Sequence, residues 1–222
     1  SSLLFRSISF LTGMLFAIGF VSLFISGGLT GVFLGNSALD LHLHDTYFII
    51  AHFHIVMGVA GMFGMFAGLY HWFPKMYGRY LNNTLAYIHF WVTMIGSYLI
   101  FWPMHYEGLA GMPRRYYDFT NWESFKMFAG LNQFISFVSI IVFAAQLMFV
   151  FNFFYSIFKG RKVTTLNPWG AASLEWSTPI RPGHGNWPGE IPEVHRWAYD
   201  YGKDGREFIQ QTEVVGEHES KH

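Results

Sequence analysis

Four long stretches of this chain contain no charged side chain. Asp, Glu, Lys and Arg are absent from residues 7–39, 46–74, 80–106 and 127–158. Each stretch is longer than the roughly 20 apolar residues that an α-helix needs to cross the hydrocarbon core of a bilayer. None of them shows the polar face that a helix on the surface of a soluble domain would carry. The pattern predicts an all-α integral membrane bundle with four transmembrane helices.

Turn and capping residues set the expected ends of these helices. We predict helices over about residues 9–34, 46–73, 84–102 and 127–158. Pro74 and Pro103 are expected to end the second and third helices, because proline lacks an amide donor and clashes with the preceding turn. The end of the first helix is expected to be loosened by four glycines, Gly27, Gly28, Gly31 and Gly35.

The remaining sequence divides into loops and a tail. Residues 36–45 are expected to form a short polar link, and residues 104–126 a longer loop. Residues 1–158 would then form the transmembrane bundle, and residues 159–222 an irregular cytoplasmic tail whose first part is rich in Pro, Gly and Trp. The absence of cysteine excludes disulfides, thiolate metal sites and a thiol nucleophile. A net charge of zero gives no electrostatic reason to expect nucleic acid as a partner.

The distribution of basic residues predicts the orientation in the membrane, because cytoplasmic loops carry an excess of Lys and Arg. One side would hold Arg6, Lys75, Arg79, Lys159, Arg161 and Lys162. The other side would hold Arg114, Arg115 and Lys126. Both termini are therefore expected in the cytoplasm or matrix. The adjacent arginines on the outer face are either a tolerated exception or an answer to fixed negative charge, such as the carboxylates of a cofactor.

Two histidines lie inside the second charge-free stretch, at His52 and His54 in the sequence HDTYFIIAHFH. Positions i and i+2 of an α-helix point about 200° apart, so one metal ion cannot bind both rings. Imidazole is costly to bury in hydrocarbon unless its nitrogens find partners, and helix–helix hydrogen bonds are the simplest such partners. The alternative is that each ring is the axial ligand of its own haem iron, with the irons about 13–16 Å apart by helix geometry.

A second polar cluster is predicted just before this helix. His44 and Asp45 could hold a hard divalent ion together with waters. Equally, they could form a capping cluster, since negative charge is favourable near a helix N-terminus. The predicted topology brings Arg114 and Arg115 to the same face, where guanidinium groups could bind haem propionates.

Three longer motifs carry a family resemblance. They are GGLTGVFLGNSALDLHLHDTYFIIAHFH, HWFPKMYGRYLN and GLAGMPRRYYDF. These motifs closely resemble subunit I of the haem–copper respiratory oxidases, with HDTY and PRRY favouring the cytochrome c branch over the quinol oxidases. The resemblance implies that the chain corresponds to the last four helices of a subunit with twelve or more.

The resemblance also implies a role for each matched residue. His52 would be the axial ligand of the high-spin haem, where oxygen is reduced, and His54 an axial ligand of the low-spin haem. Arg114, Arg115 and Asp40 would contact haem propionates. Magnesium would be bound by His44 and Asp45.

The implied reaction is the reduction of oxygen to water with electrons from cytochrome c, coupled to proton translocation. The implied cofactors are two haems, expected to be of haem A type, and magnesium, with copper bound by helices that this chain does not contain. The implied partners are a copper-containing subunit II, subunit III and other subunits of the complex. The membrane would be the bacterial plasma membrane or the mitochondrial inner membrane. The alternatives are a quinol oxidase of the same superfamily and a non-catalytic membrane subunit whose histidines only pack.

Overall fold

The structure, a computed structural model, describes residues 11–198 and 209–214. Its helices are α1 (Thr12–Leu34), α2 (Ser37–Leu43), α3 (Tyr47–Phe53), α4 (Ala60–Tyr77), α5 (Asn83–Leu109) and α6 (Ala129–Lys159). A π-helical segment, His54–Val59, joins α3 to α4, and short 3-10 turns occur at Phe119–Asn121, Glu123–Phe128 and Leu174–Ser177. No β-strand occurs in this described part of the chain. The predicted all-α class is confirmed.

Four helical spans among the described residues are long and apolar enough to cross a membrane. They are Thr12–Leu34, Tyr47–Tyr77, Asn83–Leu109 and Glu123–Lys159. These spans match the four charge-free stretches of the sequence. Residues 9 and 10 of the first predicted helix, Arg6 and the predicted tail beyond residue 214 lie outside the described residues, as do residues 199–208.

The prediction that proline ends the second and third helices was wrong. The second span continues through Pro74 to Tyr77, and α5 continues through Pro103 to Leu109. Each proline removes one amide donor from its helix. Ending the helix there in apolar surroundings would leave several more backbone groups without partners, so the chain keeps its remaining helical hydrogen bonds.

Two further predictions about the first half of the chain were wrong. Residues 36–45 are not only a polar link, because Asn36 caps the short helix α2 by accepting from the amides of Ala38 and Leu39. The glycines do not loosen α1, which stays helical to Leu34. Gly27 instead provides a flat surface against which the π-helical segment packs.

The described residues fall into two compact units. The first takes in the chain up to His71 and then Asn82–Phe154. Its interior contains a cluster of aromatic rings. Phe16, Phe66 and Phe149 contact the buried ring of His89, and Phe90 packs against Phe16. A second buried group consists of Ile100 on α5 with Ile135 and Val138 on α6. The unit is thus held largely by apolar packing between helices, although several polar side chains are buried in it as well.

The second unit combines Trp72–Leu81 with the chain from Tyr155 onward. The buried ammonium group of Lys75 donates to the carbonyl oxygens of Thr178 at 2.5 Å and Leu166 at 3.2 Å. Arg79 donates to the Gly160 carbonyl at 2.6 Å, and the Arg161 guanidinium lies over the Tyr80 ring. Lys75, Arg79 and Arg161, which also predict the orientation in the membrane, therefore hold the irregular segment of this unit in place.

Candidate functional site

His52 lies on the side of α3 that faces α1. Its Nδ1 atom is 2.8 Å from the carbonyl oxygen of Gly27 and 2.9 Å from Oγ1 of Thr30. The Thr30 hydroxyl donates to the same Gly27 carbonyl at 2.6 Å. Because a carbonyl can only accept, Nδ1 carries the hydrogen and donates it. The neutral ring then has its lone pair on Nε2, which is the arrangement found in histidines that bind a metal.

Glycine at two positions of α1 allows this ring to approach. A methyl group added at Gly31 would lie 2.8 Å from Cε1 of His52, and one added at Gly27 would lie 2.7 Å from Cγ2 of Ile55. Gly27 and Gly31 are four residues apart, a spacing that lets membrane helices pack closely. The backbone of α1 therefore sets the position of the His52 ring.

His54 lies toward a different helix. Its Nδ1 atom is 2.7 Å from the carbonyl oxygen of Ile50, one turn earlier, so Nδ1 again carries the hydrogen. Its ring is nearly parallel to that of Phe101 on α5, with ring centres 5.3 Å apart and planes 16° apart. The π-helical segment begins at His54, and single turns of π-helix occur often at functional sites.

The two imidazoles share one property that matters for cofactor binding. In each ring Nδ1 is held by a backbone carbonyl, and Nε2 forms no hydrogen bond to a described residue. Both side chains are partly exposed, so Nε2 is accessible to a group that this chain does not provide. This donor set fits axial ligation of two separate haem irons, one beside α1 and the other beside α5.

A cluster of polar side chains, which we call the outer cluster after the topology predicted from the sequence, is assembled by a short backbone pairing. The pairing joins the residues before α3 to the loop after α5, which we call the outer loop. The cluster comprises Asp40, His44, Asp45, Arg114 and Arg115. The amide of Tyr47 donates to the Met112 carbonyl at 3.0 Å, and the amide of Arg114 donates to the Asp45 carbonyl at 2.9 Å. Thr46 and Pro113 form an isolated antiparallel bridge between the two hydrogen bonds. The loop that follows α5 is thereby held against the residues that precede α3.

This pairing brings together some of the residues singled out in the sequence. The Arg114 guanidinium forms an ion pair with Asp45. Nε2 of His44 is 3.8 Å from Oδ2 of Asp45, and Nδ1 of His44 is 3.6 Å from Oδ2 of Asp40. Arg115 is exposed and forms no ion pair with any residue in the described ranges. The two adjacent arginines therefore differ, because Arg114 pairs with Asp45 and Arg115 has no ion-pair partner among the described residues.

Several features of the cluster bear on whether it fits a bound group. The Nε atom of Arg114 is buried without a hydrogen-bond partner in the described part of the chain, so it is available to a further acceptor such as a carboxylate. Two ligands of one magnesium ion lie about 3–4 Å apart, and the His44–Asp45 separation falls in that range. No three His, Asp or Glu side chains among the described residues come together as a more complete metal site.

Backbone strain marks the same region. Asp45 has a φ of 58° and Arg115 a φ of 65°, both in the left-handed region that side chains other than glycine seldom adopt. Such conformations cost about 1–3 kcal/mol each and persist where surrounding contacts impose them.

Tyr116 lies beside the cluster, and its hydroxyl donates to that of Tyr47 at 2.6 Å. Burial raises the pKa of Tyr116 above the ordinary value for tyrosine, with smaller contributions from Tyr47 and Glu107. This hydroxyl is therefore un-ionised at neutral pH and can serve as a hydrogen-bond donor.

Three buried polar side chains of α5 were missed from the sequence. His89 bonds the Tyr70 hydroxyl and the Gln146 side-chain oxygen, each at 3.1 Å. Both ring nitrogens of His105 are buried without a hydrogen-bond partner that meets the geometric limits among the described residues, although the Phe101 and Trp102 carbonyls are close. Glu107 is completely buried. The signals in the sequence are that His89 and His105 lie inside the third charge-free stretch and that Glu107 directly follows it.

The sequence matches a protein family and several characterised relatives. Residues 2–141 match the family described as Cytochrome C and Quinol oxidase polypeptide I. The chain is 50% identical over 204 residues to the alternative cytochrome c oxidase subunit 1 of Bradyrhizobium diazoefficiens. This alignment covers 90% of this chain and 34% of that protein. It is 44% identical over 198 residues to cytochrome c oxidase subunit 1 of Thermostichus vulcanus, covering 88% of this chain and 34% of that protein.

A solved structure shares the fold. A heme-copper terminal oxidase dimer, determined by cryo-EM, matches 72% of this chain and 29% of its own with a TM-score of 0.61 and 19% sequence identity. The chain spans about a third of the length of these relatives. It is therefore a fragment of a larger subunit, as the motifs predicted, and it belongs to the Cytochrome C and Quinol oxidase polypeptide I family.

Proposed function

We propose that this chain is the part of the catalytic subunit of a terminal oxidase that supplies axial ligands to two haems. His52 would bind the high-spin haem and His54 the low-spin haem. The observation that carries the proposal is that both rings have Nδ1 held by a backbone carbonyl and Nε2 free, on sides of the helix that face α1 and α5. A pair of histidines that served only for packing would be expected to use Nε2 as well.

The residues of this chain would orient the ligands and exclude water. Hydrogen bonds from Nδ1 to the Gly27 and Ile50 carbonyls fix each ring and make Nε2 a stronger base. Haem iron, when bound at Nε2, supplies electron transfer and, together with copper held elsewhere in the subunit, oxygen reduction. In the membrane, the apolar helices would keep bulk water from both positions.

The proposed electron donor, reaction and partners are those of the cytochrome c branch of the family. The full subunit would take electrons from cytochrome c through a copper-containing subunit II, reduce oxygen to water and move protons across the membrane. Subunit III and other members of the complex would be further partners. The haems would be of haem A type, in a bacterial plasma membrane or the mitochondrial inner membrane with both termini on the cytoplasmic or matrix side.

The outer cluster would hold the charged edges of the cofactors. The unpartnered Nε of Arg114 would donate to a haem propionate, and the exposed guanidinium of Arg115 would bind another. Asp40 would contact a propionate of the high-spin haem. His44 and Asp45 would provide two ligands to magnesium, with waters or a partner subunit completing its shell.

Optical spectra of the assembled oxidase with single substitutions test the haem assignment. His54→Ala should remove the low-spin signal and His52→Ala the high-spin signal, each leaving the other in place. His184→Ala, at an exposed position of the second unit, is the matched control and should leave both signals unchanged. Unchanged spectra in both histidine variants would favour the non-catalytic packing subunit instead.

Manganese substitution tests the magnesium assignment separately. Mn²⁺ bound in place of magnesium should give a paramagnetic resonance signal that disappears in Asp45→Ala. A signal that survives this substitution would place the ion elsewhere. The quinol oxidase alternative is tested by the electron donor, because that alternative requires a quinol to be oxidised and reduced cytochrome c to be left untouched.

A further inference from the structure

Glu107 is the acidic side chain most completely removed from solvent in the described residues. It lies at the outer end of α5 with no exposed surface. Oε1 accepts a hydrogen bond from Nδ2 of Asn132 on α6 at 2.9 Å, and Oε2 is buried without a hydrogen-bond partner among the described residues. Asn132 is itself held, since Nδ2 also donates to the Phe128 carbonyl at 3.1 Å.

The charge state of this carboxyl group follows from its surroundings. Glu107 forms no ion pair with Lys, Arg or His in the described ranges. One amide donor does not compensate for taking a carboxylate out of water, and a buried acid without a counter-charge neutralises by holding its proton. Glu107 interacts with the hydroxyl of Tyr116, which is itself un-ionised at neutral pH because burial raises its pKa.

Backbone hydrogen bonds hold Glu107 beside Tyr116 and Tyr47. The Glu107 carbonyl accepts from the amide of Met112 at 3.0 Å, and the Met112 carbonyl accepts from the amide of Tyr47 at 3.0 Å. The tyrosine rings stack at 5.7 Å, and their hydroxyls are 2.6 Å apart. The backbone of the buried residue Met112 therefore links the end of α5 that carries Glu107 to the start of α3 that carries Tyr47.

We propose that Glu107 is a site that stores an exchangeable proton, with the amide of Asn132 on Oε1 and the proton on Oε2. A water bound at Oε2 takes this proton as the O–H bond breaks and passes one of its own protons to the Tyr116–Tyr47 hydroxyl pair. The hydroxyl pair, which is partly exposed, releases one proton to solvent water in the same step, so both hydroxyls stay neutral. The reverse transfer restores the acid, so the cycle consumes no other reactant. This site does not depend on haem ligation by His52 and His54.

Infrared spectroscopy of the assembled oxidase tests the proposal. A neutral carboxylic acid gives a C=O stretching band that a carboxylate lacks, and the band shifts to lower frequency in D₂O. Glu107→Gln should remove one such band, and Asn132→Leu should move it to higher frequency because the C=O loses its donor. The matched control, Glu123→Gln, changes an exposed glutamate that pairs with Lys126 and should leave the band unchanged.

The transfer route has its own measurement. Tyr116→Phe should slow the exchange of the band into D₂O several-fold while leaving its frequency in H₂O almost unchanged. An unchanged exchange rate would overturn the route through the tyrosines.

Loss of a carboxylate band instead of a carbonyl band in Glu107→Gln would overturn the stored proton. If that variant does not assemble, isotope labelling of glutamate in the wild type and the shift in Asn132→Leu test the same claim. Haem spectra recorded on the same samples separate failure of this proposal from failure of the proposed ligands.

Discussion

The histidine pair His52 and His54 and the outer cluster are built in different ways. The rings of His52 and His54 are positioned by backbone carbonyls, by glycine on α1 and by a parallel aromatic ring on α5. The outer cluster depends on side chains that are partly or fully exposed, on one ion pair and on two residues with left-handed backbone. Helix packing fixes the positions of the two histidine rings, whereas backbone pairing between loops fixes the positions of the side chains in the outer cluster.

This difference decides where substitutions should matter. Packed helices have little room to adjust, so a single added methyl group lowers the free energy of unfolding. An ion pair with exposed partners is weakened by water and salt and contributes little to stability. We therefore expect effects on cofactor signals and stability to decrease from α1 to the outer loop.

The largest effect is expected for Gly31→Ala. The new methyl group would lie 2.8 Å from Cε1 of His52, so the ring must shift. We expect a loss of about 1–3 kcal/mol in the free energy of unfolding, which is typical of overpacking, and a weakened high-spin haem spectrum.

Gly28→Ala is the matched control for this prediction. A methyl group there meets no atom within 4 Å, so the spectrum should not change. Stability should be equal or higher by about 0.5–1 kcal/mol, because alanine favours the helix. Equal effects of the two substitutions would show that close packing at Gly31 does not position His52.

A smaller effect is expected for Thr30→Val. The variant keeps the shape of the side chain but loses the hydroxyl that contacts Nδ1 of His52 and the Gly27 carbonyl. The loss should be about 1 kcal/mol of stability. The iron–imidazole stretching frequency, measured by resonance Raman spectroscopy, should fall. Thr30→Ser retains the hydroxyl and should behave like the wild type, so a fall in Thr30→Ser as well would argue against the hydrogen bond as the cause.

The outer ion pair should contribute less again. Arg114→Gln removes the contact with Asp45, whose side chain is 56% exposed, so we expect a loss of no more than about 1 kcal/mol. Thermal unfolding at low and high salt should show the loss shrinking with salt. Arg115→Gln, which breaks no ion pair among the described residues, should leave unfolding unchanged. A larger loss of stability in Arg115→Gln than in Arg114→Gln would contradict the finding that only Arg114 forms the ion pair with Asp45.

The smallest effect is expected at Asp118 in the outer loop. The amide and hydroxyl of Thr120 donate to its carboxylate and lower its pKa below the ordinary value. A lowered pKa means that the stabilisation is present above the ordinary pKa of aspartate and is lost as the pH falls through the lowered value. Hydrogen exchange of the Thr120 amide should therefore show protection at neutral pH that is lost in acid. Protection that persists in acid would exclude this capping bond.

The sequence could predict features that depend on local composition. The charge-free stretches predicted four membrane-length helices, and the spacing of His52 and His54 predicted rings on different sides of one helix. Proline rules failed at Pro74 and Pro103, because the apolar surroundings favour a continuous helix over free backbone groups.

Features that depend on distant partners could not be predicted. The carbonyl that holds His52 belongs to Gly27, 25 residues away, and the amide that contacts Glu107 belongs to Asn132, also 25 residues away. No local pattern announces either contact. The π-helical segment that begins at His54 could not be predicted from the sequence either, since its residues are ordinary helix formers in a membrane.

A high-resolution density map of the assembled oxidase would show directly whether His52 and His54 bind haem iron. We expect iron bonded to Nε2 of His52 and of His54, with Nδ1 still donating to the carbonyls of Gly27 and Ile50. Rings whose Nε2 atoms bond only to neighbouring side chains, with no porphyrin beside them, would contradict it.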